Sequence, residues 1–302
     1  MAAAKITEKK YQLNSGYEIP AIGLGTWQSG PNEVATAVEA ALKLGYRHID
    51  TAAAYGNEAE VGAGIKASGV PRNEIFLTTK LKESDLHRAA AALDESLEKL
   101  GTAYIDLYLV HWPCPVSPND AKKAQPGWDI VKTWSEMQKL PATGKVRSIG
   151  VSNFGKNHLE QLFNAPDFSI VPAVNQVEIH PCYPSGKLLA YNTSKKIHTT
   201  AYSCLGSTDS PLYKNDALKK IADAKGKTVQ QVLLRWGLNR GYSVIPKSVT
   251  PKRIQANFDL DGWDLTADEA KAIDAIPDRF KVCDGTFLPN DGKDAALFQD
   301  DE

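Results

Sequence analysis

From one end to the other, the chain alternates short runs rich in β-branched and other apolar residues with longer runs of helical periodicity. Eight short runs can be counted, at residues 21–24, 46–49, 75–79, 105–110, 146–151, 173–177, 198–202 and 242–245. Unbroken apolar runs of this length suit strands buried on both faces, the pattern of a parallel sheet. Helical segments fall at residues 34–44, 86–100, 128–139, 156–163, 187–196, 217–241 and 267–276. Strand–helix alternation throughout places helices outside a parallel sheet, and eight such units close naturally into a (β/α)8 TIM barrel. The competing architecture, an open doubly wound sheet, normally carries Gly-x-Gly-x-x-Gly after its first strand. Gly23-Leu24-Gly25-Thr26-Trp27 lacks the third glycine. The barrel is favoured.

No Pro-, Gly- or Ser-rich linker interrupts the rhythm, so residues 1–302 read as one α/β domain. Residues 11–20, centred on Asn14-Ser15-Gly16, predict an N-terminal β-hairpin, and residues 279–302 leave the barrel rhythm as a C-terminal tail. The apolar fraction, 42%, supplies a large core. A net charge of -1 without long runs of one sign argues against nucleic-acid and membrane partners. Residues 1–10 lack the apolar stretch of a secretory signal, and no run approaches a membrane span. Cys114, Cys182, Cys204 and Cys283 are scattered, so reduced thiols, no metal site and a cytoplasmic location are expected. A monomer is expected, with a dimer as the alternative.

Barrel chemistry sits at the C-terminal ends of the strands. The second run leads into Asp50, with Tyr55 shortly after; the third leads into Lys80 and the fourth into His111. Three consecutive strands therefore bring a carboxylate, an amine and an imidazole to one rim, beside a phenol. A phenol titrating near ~10 is a poor proton donor at neutral pH, and a nearby ammonium lowers that value. An aspartate would keep the ammonium charged, and a histidine can orient a carbonyl oxygen. Such a set stabilises negative charge developing on oxygen, as hydride attack on a carbonyl requires. The plain alternative is a structural ion pair beside a core phenol. A further alternative makes Lys80 the Schiff-base nucleophile of an aldolase or lyase. Asp50 opposes it, since a paired carboxylate suppresses the neutral amine.

The segments at 23–27, 45–52, 55–58, 109–113, 149–154, 175–178, 201–203 and 245–248 resemble those of the aldo-keto reductases. The resemblance runs from about residue 11 to 276, closest to the aldehyde and aldose reductase branch and its fungal glycerol dehydrogenase and glyceraldehyde reductase members. It implies an NADP-dependent oxidoreductase that reduces aldehydes or ketones by direct hydride transfer. It also implies Tyr55 as general acid, tuned by Lys80 and Asp50, with His111 orienting the substrate. The nicotinamide would stack on Tyr202, with Ser152, Asn153 and Gln176 on its carboxamide. Ser203, Leu205 and Ser207 would follow the pyrophosphate. Gly25, Thr26 and Val249 are further cofactor contacts, and Lys247, Ser248, Thr250 and Arg253 would clamp the 2′-phosphate of NADPH/NADP+, with Asn257 near the adenine.

Two cations and two hydroxyls at a helix start suit a phosphomonoester without any resemblance; the plain alternative is a solvated basic turn. Departures from the family pattern are Ala256, where Glu often precedes Asn257, and Cys204, where Pro is usual. Trp27, Trp112 and Trp128, with Tyr55 and His111, are the expected walls of a pocket for a small carbonyl substrate. The resemblance also implies that the C-terminal tail is a loop over the active site, where Phe280, Phe287 and Phe298 are candidates for lining the pocket. Trp134, Trp236, His48 and His180 read as packing residues. A non-catalytic, cofactor-sensing barrel remains a third reading.

Overall fold

The computed structural model describes residues 5–30 and 32–289. Its centre is one eight-stranded sheet of parallel neighbours, with strands in sequential order. The strands are β1 (Leu24–Gly25), β2 (His48–Asp50), β3 (Phe76–Leu81), β4 (Ile105–Val110), β5 (Val146–Ser152), β6 (Val174–Glu178), β7 (His198–Tyr202) and β8 (Ser243–Val244). Parallel bridges from Ile22 to Val244 and from Gly25 to Lys247 join the first edge to the last, so the sheet closes on itself. The barrel expected from strand–helix alternation is the fold observed.

The helices are α1 (Glu33–Leu44), α2 (Glu58–Ser68), α3 (Ala89–Leu100), α4 (Ile130–Met137), α5 (Lys156–Phe163), α6 (Gly186–Ser194), α7 (Asp216–Lys225), α8 (Val229–Asn239), α9 (Pro251–Phe258) and α10 (Ala267–Asp274). Spacing predicts one helix over 217–241, but the chain forms two. Gly226 ends α7 in a left-handed conformation, φ 61°. Thr228 then starts α8, accepting from the Gln231 amide while Gln231 caps it in return. The sequence reading also passed over α2, whose few large apolar residues give little amphipathic signal. Gly64 explains why it packs: a Cβ there would come within 2.5 Å of the Ala35 carbonyl oxygen, so the bare backbone lets α2 seat against α1. The stretch between β4 and α4 contains a small hairpin, Val116–Ser117 with Asp120–Ala124.

The N-terminal hairpin pairs Lys10–Gln12 with Glu18–Pro20, as expected. Its Leu13 and Ile19 cluster with Phe76, Leu107, Leu109, Ala173 and Val174 inside the barrel. That apolar plug closes the end where the strands begin, leaving the polar residues at the other end facing a mouth.

His48 and His198 are tied down by hydroxyls, to Thr78 at 3.0 Å and Ser243 at 2.8 Å. Burial pushes both imidazoles down, to about 4 and about 3. Each therefore stays neutral when folded but protonates near ~6.5 when unfolded. Their stabilisation is full above ~6.5 and is lost as pH falls, at up to about 1.4 kcal/mol per pH unit for each histidine. Thermal midpoints should be flat from pH 8 to 7 and decline below about 6.5, and replacing both rings with asparagine should flatten the upper part of that decline.

Candidate active site

Asp50 is the last residue of β2, and Lys80 lies one residue before the end of β3. Register pairs these strands so that the two side chains meet inside the barrel, 2.6 Å apart and both buried. The Lys80 ammonium has three N–H donors. It gives one to Asp50, one to the Thr51 carbonyl at 2.9 Å and one to the Tyr55 hydroxyl at 3.2 Å. The other Asp50 oxygen accepts from Gln176 Nε2 at 2.7 Å, and Thr26 donates to the Asp50 carbonyl at 3.0 Å. Gln176, expected at the cofactor, is thus bonded into the same network as Asp50 and Lys80. Tyr55 hangs over it from the 3-10 turn Ala53–Tyr55, and its ring meets the His111 ring edge-on at 5.7 Å. The three residues delivered by successive strand ends converge beside Tyr55.

The charge balance differs in one respect from the sequence expectation. Burial pushes the Tyr55 phenol above its usual value, and the Lys80 ammonium pulls it back only in part, so the net direction is up. Burial also opposes charge on Lys80, but Asp50 and Tyr55 overcome it and hold the ammonium above its ordinary range. The pair is a charged lysine beside a protonated phenol. A Schiff base at Lys80 would need that amine neutral, so this geometry disfavours an aldolase.

On the adjoining rim, Tyr202 Oη donates to Asn153 Oδ1 at 2.7 Å, Asn153 Nδ2 to the His111 carbonyl at 3.0 Å, and Ser152 Oγ to the Gln176 carbonyl at 2.8 Å. Asn153, Ser203 and Ser207 hold left-handed backbone, φ 63°, 47° and 72°, although none is glycine. Three such residues among the expected cofactor contacts mark a rim whose shape is imposed by its surroundings. Leu205 is half-buried, and Gly25, Thr26 and Ser248 are buried beside the β1–β8 seam with Val249 next to them. Lys247 reaches the Gln28 carbonyl at 3.0 Å. Thr250 precedes α9, and Arg253 is exposed in its first turn with no ion pair among the described residues; Asn257 is buried on the same helix. An uncommitted guanidinium, a lysine and two hydroxyls with no paired carboxylate fit a phosphate group.

The pocket walls come out unevenly. Trp27 is 42% exposed at the mouth. Trp112 lies 6.3 Å from the His111 ring, and Phe287 packs edge-on against Trp112 at 5.2 Å. Trp128 precedes α4 rather than starting it; its Nε1 donates to Thr133 and its ring meets His87. Phe280 stacks on His180 at 4.6 Å, and Phe298 lies outside the described residues. Trp134 and Trp236 are buried, as expected. So is Cys204, and burial pushes its thiol up to about 12. None of the four cysteines forms a disulfide. Among the described residues no cluster could hold a metal, and no helix is long and apolar enough to cross a membrane.

Two carboxylates escaped the sequence reading. Glu178, at the end of β6, accepts from the amides of Val282 and Cys283 at 2.6 and 2.8 Å and is 3.0 Å from His180 Nε2. It fastens the tail across the mouth. Glu83, in the turn Glu83–Arg88, stands 3.0 Å from His111 Nδ1. Nothing in Lys82-Glu83-Ser84-Asp85 distinguishes it from a solvated charged turn.

A family model described as the Aldo/keto reductase family matches residues 21–278. Glycerol 2-dehydrogenase (NADP(+)) of Saccharomyces cerevisiae is 46% identical over 284 residues, 89% of this chain and 90% of that one. D-galacturonate reductase of Hypocrea jecorina is 47% identical over 272 residues, 84% of this chain and 87% of that one. The solved aldose reductase of Schistosoma japonicum has a TM-score of 0.89 at 36% identity, covering 97% of this chain and all of its own, 100%.

Proposed function

From the premise that this chain belongs to the aldo/keto reductase family, we propose that it reduces the carbonyl of an aldehyde or ketone to an alcohol with NADPH. The observation that carries the proposal is the buried chain of contacts from Asp50 to Lys80 to Tyr55, with His111 beside the phenol. The nicotinamide supplies the hydride when bound. As charge builds on the carbonyl oxygen, Tyr55 Oη gives up its proton to it, leaving a phenolate facing the Lys80 ammonium. Burial opposes that phenolate and the ammonium stabilises it, so Lys80 acts where the charge appears. Asp50 keeps Lys80 protonated and aimed. His111 orients the carbonyl, while Trp27 and Trp112 exclude water from the mouth.

Tyr202, Ser152, Asn153 and Gln176 form the seat for the nicotinamide end. Ser203, Leu205 and Ser207, with Gly25 and Thr26, follow the pyrophosphate. Lys247, Ser248, Val249, Thr250 and Arg253 receive the 2′-phosphate, and Asn257 adjoins the adenine. Charge-assisted hydrogen bonds contribute about 1.5–3 kcal/mol, so Arg253→Ala should raise the NADPH dissociation constant roughly 10- to 100-fold. The NADH constant should change little. A fluorescence titration with both nucleotides checks this, and equal weakening would remove the 2′-phosphate assignment.

The reaction itself is tested by following nucleotide oxidation with glyceraldehyde, xylose and a uronic acid, each with NADPH and with NADH. Turnover with NADPH on at least one carbonyl is expected. A protein that binds NADPH yet turns over none of them would instead be a non-catalytic nucleotide-binding barrel.

A further inference from the structure

Asn57 stands at the head of α2, where an asparagine ordinarily turns back to accept from the first helical amides. Here its side chain makes no such capping bond, although the residue is buried, at 7% exposed. Both ends of the side-chain amide are spent elsewhere. Nδ2 donates to the Thr26 carbonyl at 3.0 Å, and Oδ1 accepts from the Thr51 hydroxyl at 3.3 Å. A backbone carbonyl can only accept, so the amide has one workable orientation between these two partners.

Those partners are parts of the catalytic base plate. Thr26 follows β1 and donates to the Asp50 carbonyl at 3.0 Å, while the Thr51 carbonyl accepts from Lys80 Nζ at 2.9 Å. The loop from Thr51 to Asn57 is therefore closed at its base by one bond and pinned to the end of β1 by the other. Tyr55 rides inside that loop, between the exposed Ala54 and Gly56. Ala52 and Asn57 are its buried anchors, and the arm between them is half-buried or exposed. Where the phenol sits is thus decided at the base of the loop.

We propose that Asn57 is a positioning residue whose two-ended clamp fixes the Tyr55 hydroxyl over the Lys80 ammonium, a role for which the helix cap is forgone. The inference rests on the carbonyl-reduction reading above, in which the 3.2 Å contact between Tyr55 and Lys80 is where charge appears as the proton leaves. Asn57 itself exchanges no proton and touches neither reacting group. It acts on the rate through the geometry of Tyr55.

The test uses Asn57→Ser and Thr51→Val. Serine is a good first residue for a helix, so α2 keeps its start, but one hydroxyl cannot bridge Thr26 and Thr51. Valine removes the other contact and leaves Asn57 and α2 untouched, so it carries the test should Asn57→Ser fail to fold. In the first measurement, hydrogen exchange is followed across the chain. Exchange over residues 51–57 should quicken in both variants, while α2 and the barrel strands exchange as before. In the second, glyceraldehyde reduction is measured at saturating NADPH. A misplaced reacting group costs up to about 100-fold, so kcat should fall roughly 10- to 100-fold in Asn57→Ser and less in Thr51→Val. KM should change less than about threefold. In a Tyr55→Phe background Asn57→Ser should add no further loss, because the hydroxyl it positions is gone.

Unchanged exchange over residues 51–57 in both variants overturns the proposal. So does an equal fractional loss of kcat with and without the Tyr55 hydroxyl, which would make Asn57 a general support of the fold. If the loop loosens as expected but the wild-type protein reduces no carbonyl, the clamp stands and the reductase reading falls.

Discussion

Replacing Tyr55 with phenylalanine should lower kcat for carbonyl reduction by about 10³-fold or more, while NADPH binds as before. General acid catalysis contributes on the order of 10²–10⁴-fold, and Lys80 is not free to take over the role. Lys80 gives its three N–H bonds to Asp50, the Thr51 carbonyl and Tyr55, and its charge is pinned by Asp50. The ring itself remains in phenylalanine, so the edge-on contact with His111 and the turn at Ala53–Tyr55 persist. Steady-state kinetics with glyceraldehyde, alongside a fluorescence titration of NADPH, separate chemistry from binding. A variant retaining a tenth of wild-type kcat would mean that the proton comes from elsewhere.

Lys80→Met should cost nearly as much activity, and stability as well. The substitution removes the ammonium that faces the nascent phenolate. It also strands the Asp50 carboxylate, 2% exposed, with the Gln176 amide still bonded to it. Breaking a buried pair by removing one partner typically costs about 3–5 kcal/mol, a large share of the roughly 5–15 kcal/mol that holds a domain folded. Thermal denaturation should show the loss, and NADPH oxidation by the folded fraction should be down by about 10²–10⁴-fold. An Asp50→Asn, Lys80→Met double variant should recover part of the stability and none of the rate. Recovery of the rate would mean that Lys80 serves only to neutralise Asp50.

Much of this was legible before any coordinates. The strand–helix rhythm is strict enough that the ends of three consecutive runs locate Asp50, Lys80 and His111, and parallel register then brings them together. What spacing could not supply was the balance of opposing terms. It placed an ammonium beside Tyr55 but said nothing of how deeply the phenol is buried, and burial prevails. Helix α2 was hidden because glycines that permit close packing also erase the amphipathic signal used to find helices. The break at Gly226 was hidden because apolar periodicity resumes within three residues of it. Glu83 and Glu178 illustrate the largest gap. A carboxylate in a charged turn, or at the tail of an apolar run, declares its role only when its partner arrives from a distant part of the chain.

The central claim is that the Lys80 ammonium sets how readily the Tyr55 phenol yields its proton, and the alkaline limb of kcat for glyceraldehyde reduction tests it most directly. Reduction fails once Tyr55 is already deprotonated, and the ammonium brings that point to lower pH. In the residual activity of Lys80→Met the limb should therefore move to higher pH by about one unit or more. A limb that stays in place, or moves toward neutrality, would contradict the account.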